Sequence, residues 1–196
     1  MRFFLVSHPA LQPVLERLVP QTAHQIDLCF PETSAQLPEL LRQTQGYDAI
    51  LLPDGASVLN EQALAATDVP LVLPRVHNCA ALLLGGADAY RALFTQYNGA
   101  VCFAVAEALE TLHFSPAADC NCLCYLADTA LGVADGSIQA RLTARVNGWD
   151  YFNREINYHL LEQLLCGNWE EEQLLVVPRG MAVSPTCSRE LLALQS

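Results

Sequence analysis

The chain contains no lysine: its ten basic residues are all arginine, set against 21 Asp and Glu, for a formal charge of −11. Without a Lys/Arg cluster the sequence lacks the positive footprint that a phosphate backbone requires, and it equally lacks the polybasic patch that seeks an anionic membrane surface. Neither nucleic acid nor membrane is an expected partner. Long hydrophobic runs are missing too. No apolar stretch approaches the roughly 20 residues that span a bilayer. The opening MRFFLVSHPALQ has one arginine and a four-residue apolar run, Phe3 to Val6, shorter than a signal-peptide core and better read as a first strand. The expected location is the cytoplasm. No G-x-G-x-x-G, Walker A or G-x-S-x-G pattern occurs, so nucleotide binding and serine hydrolase chemistry have no positive support. The strong metal signature C-x-x-C is absent as well.

What is present is core material. Apolar residues make up 52% of the 196 and charged ones only 16%, richer in core and poorer in charge than an ordinary soluble domain. The length suits one compact domain over 1–196. The apolar surplus leads us to expect a homo-oligomer, with part of it covering a subunit interface. Eight cysteines, at 29, 79, 102, 120, 122, 124, 166 and 187, are many for a reducing compartment. A disulfide framework belongs to short secreted chains, so most are expected to be buried thiols, with metal ligation the alternative for the clustered ones.

Short apolar runs alternate with amphipathic segments through the first half. Strands are expected at Phe3–Val6, Gln25–Phe30, Tyr47–Leu52 and Val69–Leu73. Between them fall a helix with Leu11, Val14, Leu15 and Leu18 on one stripe, opened by Ser7-His8-Pro9, a second near Ala35–Gln45, and a short one that Asn60 would cap. The second half suggests strands at Ala100–Val105, Cys122–Leu126 and Leu174–Val177. Helices are expected at Ala106–Leu112 and Tyr151–Leu165, the latter closing at Gly167. The fold class is therefore α/β, a mostly parallel sheet with helices on both faces. Leu71-Val72-Leu73-Pro74-Arg75 and Leu175-Val176-Val177-Pro178-Arg179 are near copies. They hint at two related halves, 1–98 and 99–196, or else two buried strands simply end alike.

Ligands of open parallel sheets bind beyond the carboxyl ends of the strands. Three such ends are Ser7-His8, Asp54-Gly55-Ala56-Ser57 and Arg75-Val76-His77-Asn78-Cys79. If 75–79 stay extended, Arg75, His77 and Cys79 share a side, bringing a cation, an imidazole and a sulfur together. Imidazole and thiolate suit zinc or another transition metal, and Arg75 could hold an anionic group or lower the pKa of the thiol. The plainer reading makes Cys79 a small buried hydrophobe and bonds His77 to a loop carbonyl. His8 could meet His77 at the crest or be a solvated first-turn residue. In Asp119-Cys120-Asn121-Cys122-Leu123-Cys124, thiols at alternate strand positions share a face but lie about 7 Å apart, too far for all three to hold one ion without a bend. Packing is favoured there, with one or two as ligands. His24, His113 and His159 read as surface or partly packed residues, Cys29, Cys102 and Cys166 as core, and Glu170-Glu171-Glu172 as a solvated face.

Pro74-Arg75-Val76-His77-Asn78-Cys79, running on to Leu82-Leu83-Leu84-Gly85 and Tyr90, resembles the signature of an uncharacterised prokaryotic family, domain of unknown function 1638. Tyr47-Asp48-Ala49-Ile50-Leu51-Leu52, Asp128-Thr129-Ala130-Leu131-Gly132 and Leu164-Leu165-Cys166-Gly167-Asn168-Trp169, leading into Leu174–Pro178, extend the likeness in the same order. The resemblance implies a cytoplasmic protein without an assigned reaction, some relatives of which stand beside corrinoid-dependent methyl-transfer systems. It also implies a second cysteine at the crest, in a Gly-Leu-Cys-Gly turn. Here Ser57 stands at that cysteine's place and Asn78 where relatives carry aspartate. Serine is a poor ligand for soft metals, so either Cys120 or Cys122 replaces the sulfur or the site is lost.

Three functions follow. The first is a metal- or metallocofactor-binding protein, with His77 and Cys79 as ligands, a third donor from Cys120, Cys122 or Cys124, and Arg75 orienting the ligand. The second is a small-molecule enzyme with Cys79 as nucleophile. The third is an anion-binding module built on Arg75, with Ser57 and His8 at the same crest. The first leads because the family pattern joins histidine and cysteine at one crest.

Overall fold

A computed structural model describes residues 1–42, 44–59, 62–109 and 120–195. Asn60, His113 and Asp119 lie outside the described residues. In chain order the elements are β1 (Arg2–Val6), α1 (Gln12–Leu18), β2 (Gln25–Cys29), α2 (Leu37–Arg42), β3 (Ala49–Leu51), β4 (Leu64–Ala65), β5 (Leu71–Pro74) and α3 (Cys79–Leu83). Next come α4 (Ala87–Gln96), β6 (Val101–Ala104), β7 (Cys122–Ala127), α5 (Ser137–Asn147) and β8 (Asp150–Glu155). The chain ends with α6 (His159–Cys166), β9 (Leu174–Val177), β10 (Ala182–Pro185) and β11 (Leu192–Gln195). They form two compact units, one of Met1–Leu82 with Tyr158–Ser196 and one of Leu83–Asn157. The second unit is thus inserted into the first, and its limits are not the 98/99 midpoint.

The first unit holds a five-stranded sheet in the order β2-β1-β3-β5-β9, parallel except where β9 runs against β5. The α/β class is as the alternating apolar runs imply. Its inner strands β3 and β5, and β9 beside them, are continuous apolar runs because both faces are covered, while edge strand β2 carries Gln25 and Asp27. Val6, Ile50, Leu52, Leu71, Leu73, Leu175 and Val177 join Leu37 and Leu41 of α2 in one core cluster. Val183 and Leu192 bring a small antiparallel sheet, β11-β10-β4, into the same cluster. Phe3, one residue out of phase with Phe4, turns to the other side, where its ring meets His24 at 5.0 Å and Trp169 at 5.3 Å. The near copies Leu71–Arg75 and Leu175–Arg179 turn out to be sheet neighbours, with Leu71 opposite Val177 and Leu73 opposite Leu175. That pairing explains their likeness: both are buried strands next to each other.

The second unit has a three-stranded parallel sheet, β6-β7-β8. Leu123 and Tyr125 face the alanines Ala140 and Ala144 of α5 in one cluster. Cys122 and Cys124 point the opposite way, and Cys124 lies in register with Phe103 and Phe152. Two expectations need correction. Tyr151–Leu165 is not one helix but β8 followed by α6, because Tyr151 and Phe152 continue the sheet beside β7. Of Ala106–Leu112, the described part is a single 3-10 turn, Ala106–Ala108. By contrast α6 does end at Gly167, whose φ of 78° is the left-handed cap that glycine adopts without strain.

Candidate functional site

In the first unit β1 has β2 on one side and β3 on the other, so the strand order reverses between β1 and β3. The loops after those strands must part there, and a crevice opens at the carboxyl edge. A cavity of about 320 Å³ occupies that position. It is walled by Ser7 and His8 after β1, by Asp54 and Ser57 after β3, and by Cys79 at the start of α3, with Val6, Leu37 and Val58 among its apolar lining.

The β3 loop is fixed by Gly55. Its φ is +61°, and a Cβ there would stand 2.4 Å from the carbonyl oxygen of Val76. Only glycine lets the loops after β3 and β5 close on each other, joined by the bond from the Ala56 N–H to Val76 O at 2.8 Å. This clasp turns Asp54 inward. Asp54 is only 3% exposed, and its Oδ2 accepts the His8 N–H at 2.8 Å. Burial pushes its carboxyl above the ordinary carboxylate range, while the bonds from the His8 backbone and the Ser7 hydroxyl act the other way. His8 caps the turn at Pro9–Leu11, its Nδ1 accepting the Ala10 N–H at 3.1 Å. That bond leaves the ring proton on Nε2 in the neutral tautomer. The Ser57 hydroxyl donates to the Asp54 carbonyl at 2.9 Å.

Arg75, His77 and Cys79 do not share a face. The chain bends at Arg75 and again at His77 and Asn78, and helix α3 begins at Cys79. Asn78 drives the second bend: its Oδ1 accepts the Ala81 N–H at 3.0 Å, capping the helix. The expectation of an extended 75–79 is therefore corrected, because a capping side chain outcompetes strand geometry there. Arg75 turns to the C-terminal hairpin, where its Nη1 donates to the carbonyl of Leu192 at 2.8 Å. Among the described residues that line the cavity, Cys79 is present and Arg75 and His77 are not. The Cys79 thiol is pushed up to about 11 by burial, with the charge of Asp54 adding to the rise. At neutral pH it is a thiol rather than a thiolate.

The remaining cysteines proposed as ligands belong to the second unit. Cys120 forms a disulfide with Cys102, across 18 residues of sequence. It is therefore not available there as a thiolate ligand, and Cys102 is not simply a core thiol. Cys122 and Cys124 are fully buried, and burial pushes the Cys124 thiol to about 12. Both behave as small hydrophobes, the packing alternative. Among the described residues no group of three or more His, Cys, Asp or Glu side chains is gathered for a metal ion.

Asp54 is a buried cavity-lining residue that the sequence brought to the crest without marking as a site. The available signal was an aspartate one proline beyond the apolar run Ala49–Leu52, at the turn before a glycine. Among the described residues no helix is long and apolar enough to cross a membrane. The chain matches no protein family model, no curated protein and no solved structure.

Proposed function

We propose that the first unit binds a small organic molecule in the cavity between the loops after β1 and β3. One observation carries this reading: a cavity of about 320 Å³ lies where the strand order reverses, with a buried carboxyl and a half-buried thiol on otherwise largely apolar walls. Volumes of about 300–1,000 Å³ with few convergent polar groups are the usual form of such sites. The nucleophile reading is weaker, because a thiol held near pKa 11 by burial and a neighbouring carboxyl carries little thiolate. For a metal or metallocofactor, and for the corrinoid association that comes with the family resemblance, the donor set does not fit. Cys79 supplies one soft donor on the cavity wall, and the described residues gather no third ligand around it.

A fragment screen by NMR on the full chain tests the proposal. Binding fragments should shift the resonances of Ser7, Asp54 and Cys79 together. Ser57→Trp, which fills the mouth from an exposed position, should abolish those shifts. A screen in which no fragment moves these three residues would overturn it. Elemental analysis of protein purified without chelator is the parallel check, and a stoichiometric transition metal lost on Cys79→Ser would restore the metal reading.

A further inference from the structure

Resting on the small-molecule reading, we infer that the cavity selects an organic ammonium with a compact apolar body, its N–H groups donating to Asp54. Charge on the walls points this way. The acidic side chains lining the cavity are Asp54 and Glu32, and the lining includes no arginine among the described residues. The guanidinium that would have welcomed an anion, Arg75, is spent on the Leu192 carbonyl. His8 is the one lining side chain that could carry positive charge, and its Nδ1 is occupied as an acceptor by the Ala10 N–H.

The buried carboxyl is also built to remain an acceptor. Its Oδ2 takes the His8 N–H at 2.8 Å, and the Ser7 hydroxyl bonds to it as well. Donors from the chain itself favour the charged form, and burial opposes it. An ammonium entering the cavity brings a positive charge to this carboxyl inside a low-dielectric wall, where ion pairing is strongest. An anion would meet the same wall as a repulsive field. The formal charge of −11 further favours approach of cations over anions. Val6, Leu37 and Val58 give the apolar body of the ligand a place to lie.

Three size-matched probes, benzylammonium, benzyl alcohol and benzoate, titrated into the full chain by NMR at neutral pH and physiological salt, form the test. Benzylammonium should bind at least tenfold more tightly than benzyl alcohol and shift Ser7, Asp54 and Cys79, with benzoate inert. Asp54→Asn keeps the shape and an acceptor for the His8 N–H but removes the charge, so it should erase the preference. Glu171→Gln, a charge change at a residue outside the cavity lining, should leave the preference intact and so separates local pairing from the general field of an acidic protein. Equal or tighter binding of the alcohol or of benzoate overturns the inference and leaves the cavity reading standing. So does an Asp54→Asn variant that keeps the preference. If none of the three probes binds while other fragments still occupy the cavity, the ammonium assignment alone falls. If the fragment screen is also blank, both fall.

Discussion

Cys79 in the first unit and Cys124 in the second present the same chemistry to a titration: both are thiols that burial pushes up, to about 11 and about 12. Their surroundings separate them. Cys124 sits mid-strand, fully buried and in register with Phe103 and Phe152, so its sulfur has only packing to do. Cys79 opens helix α3 beyond the carboxyl ends of a sheet whose order reverses, where the loops leave about 320 Å³ between them. A perturbed group therefore points to a site only when a cavity accompanies it.

The two units also hold their loops in different ways. The first closes its crest with a glycine clasp, Gly55 against Val76. The second ties the end of its loop to β6 with the Cys102–Cys120 bond. The largest expected effect comes from breaking the clasp. Gly55→Val would force a branched side chain at φ +61° into the Val76 carbonyl, and should cost about 3–4 kcal/mol. Thermal unfolding would register the loss, and the joint NMR response of Ser7, Asp54 and Cys79 to fragments should vanish with it. An unchanged melting temperature would show that the loops close without glycine.

Somewhat smaller is the effect of opening the tie. Cys102→Ser should cost about 3 kcal/mol through the freed loop. Hydrogen exchange should place the loss in β6 and β7 while the five-stranded sheet of the first unit keeps its protection. Loss spread evenly over both units would contradict two independent means of closure. Added reductant should reproduce the result in the native chain, with two further thiols becoming titratable.

Smallest is the pH response of Asp54. Its folded carboxyl is raised above the unfolded value, about 3.9, so the folded state keeps a proton that the unfolded state has released. Its contribution to stability is full below the unfolded pKa and falls away as pH rises toward the folded one. Asp27 and Asp135 are shifted down by their hydrogen bonds and act in the opposite sense, losing stability on acidification. Asp135 is exposed and the Asp27 side chain is 38% exposed, so their effect is screened. Asp54→Asn should therefore flatten the decline in stability above about pH 4, measured by denaturant unfolding across the range. A variant with the native slope would mean that the carboxyl of Asp54 is not desolvated.

Much of the first unit was readable from local pattern. Strand Leu174–Val177 and the glycine end of α6 fall where the sequence puts them, since a buried run bounded by turn residues and a left-handed cap are short-range features. Helix α5 was not readable. Its inner face is Ala140 and Ala144, while Ile138, Leu142 and Val146, the residues that would mark a buried stripe, are exposed at 75%, 52% and 85%. Here the periodicity points the wrong way, because the thin layer beside Tyr125 admits only small side chains.

The sequence by itself determined the α/β alternation, the acidic surface without lysine, and the polar residues that follow each central strand. It did so because apolar period, turn chemistry and charge are properties of neighbours along the chain. Only the tertiary structure decided that Arg75 serves a hairpin, that Cys120 meets Cys102, and that Asp54 faces a cavity beside Cys79. Each of those outcomes depends on which distant segment supplies a partner, and no local pattern encodes that choice.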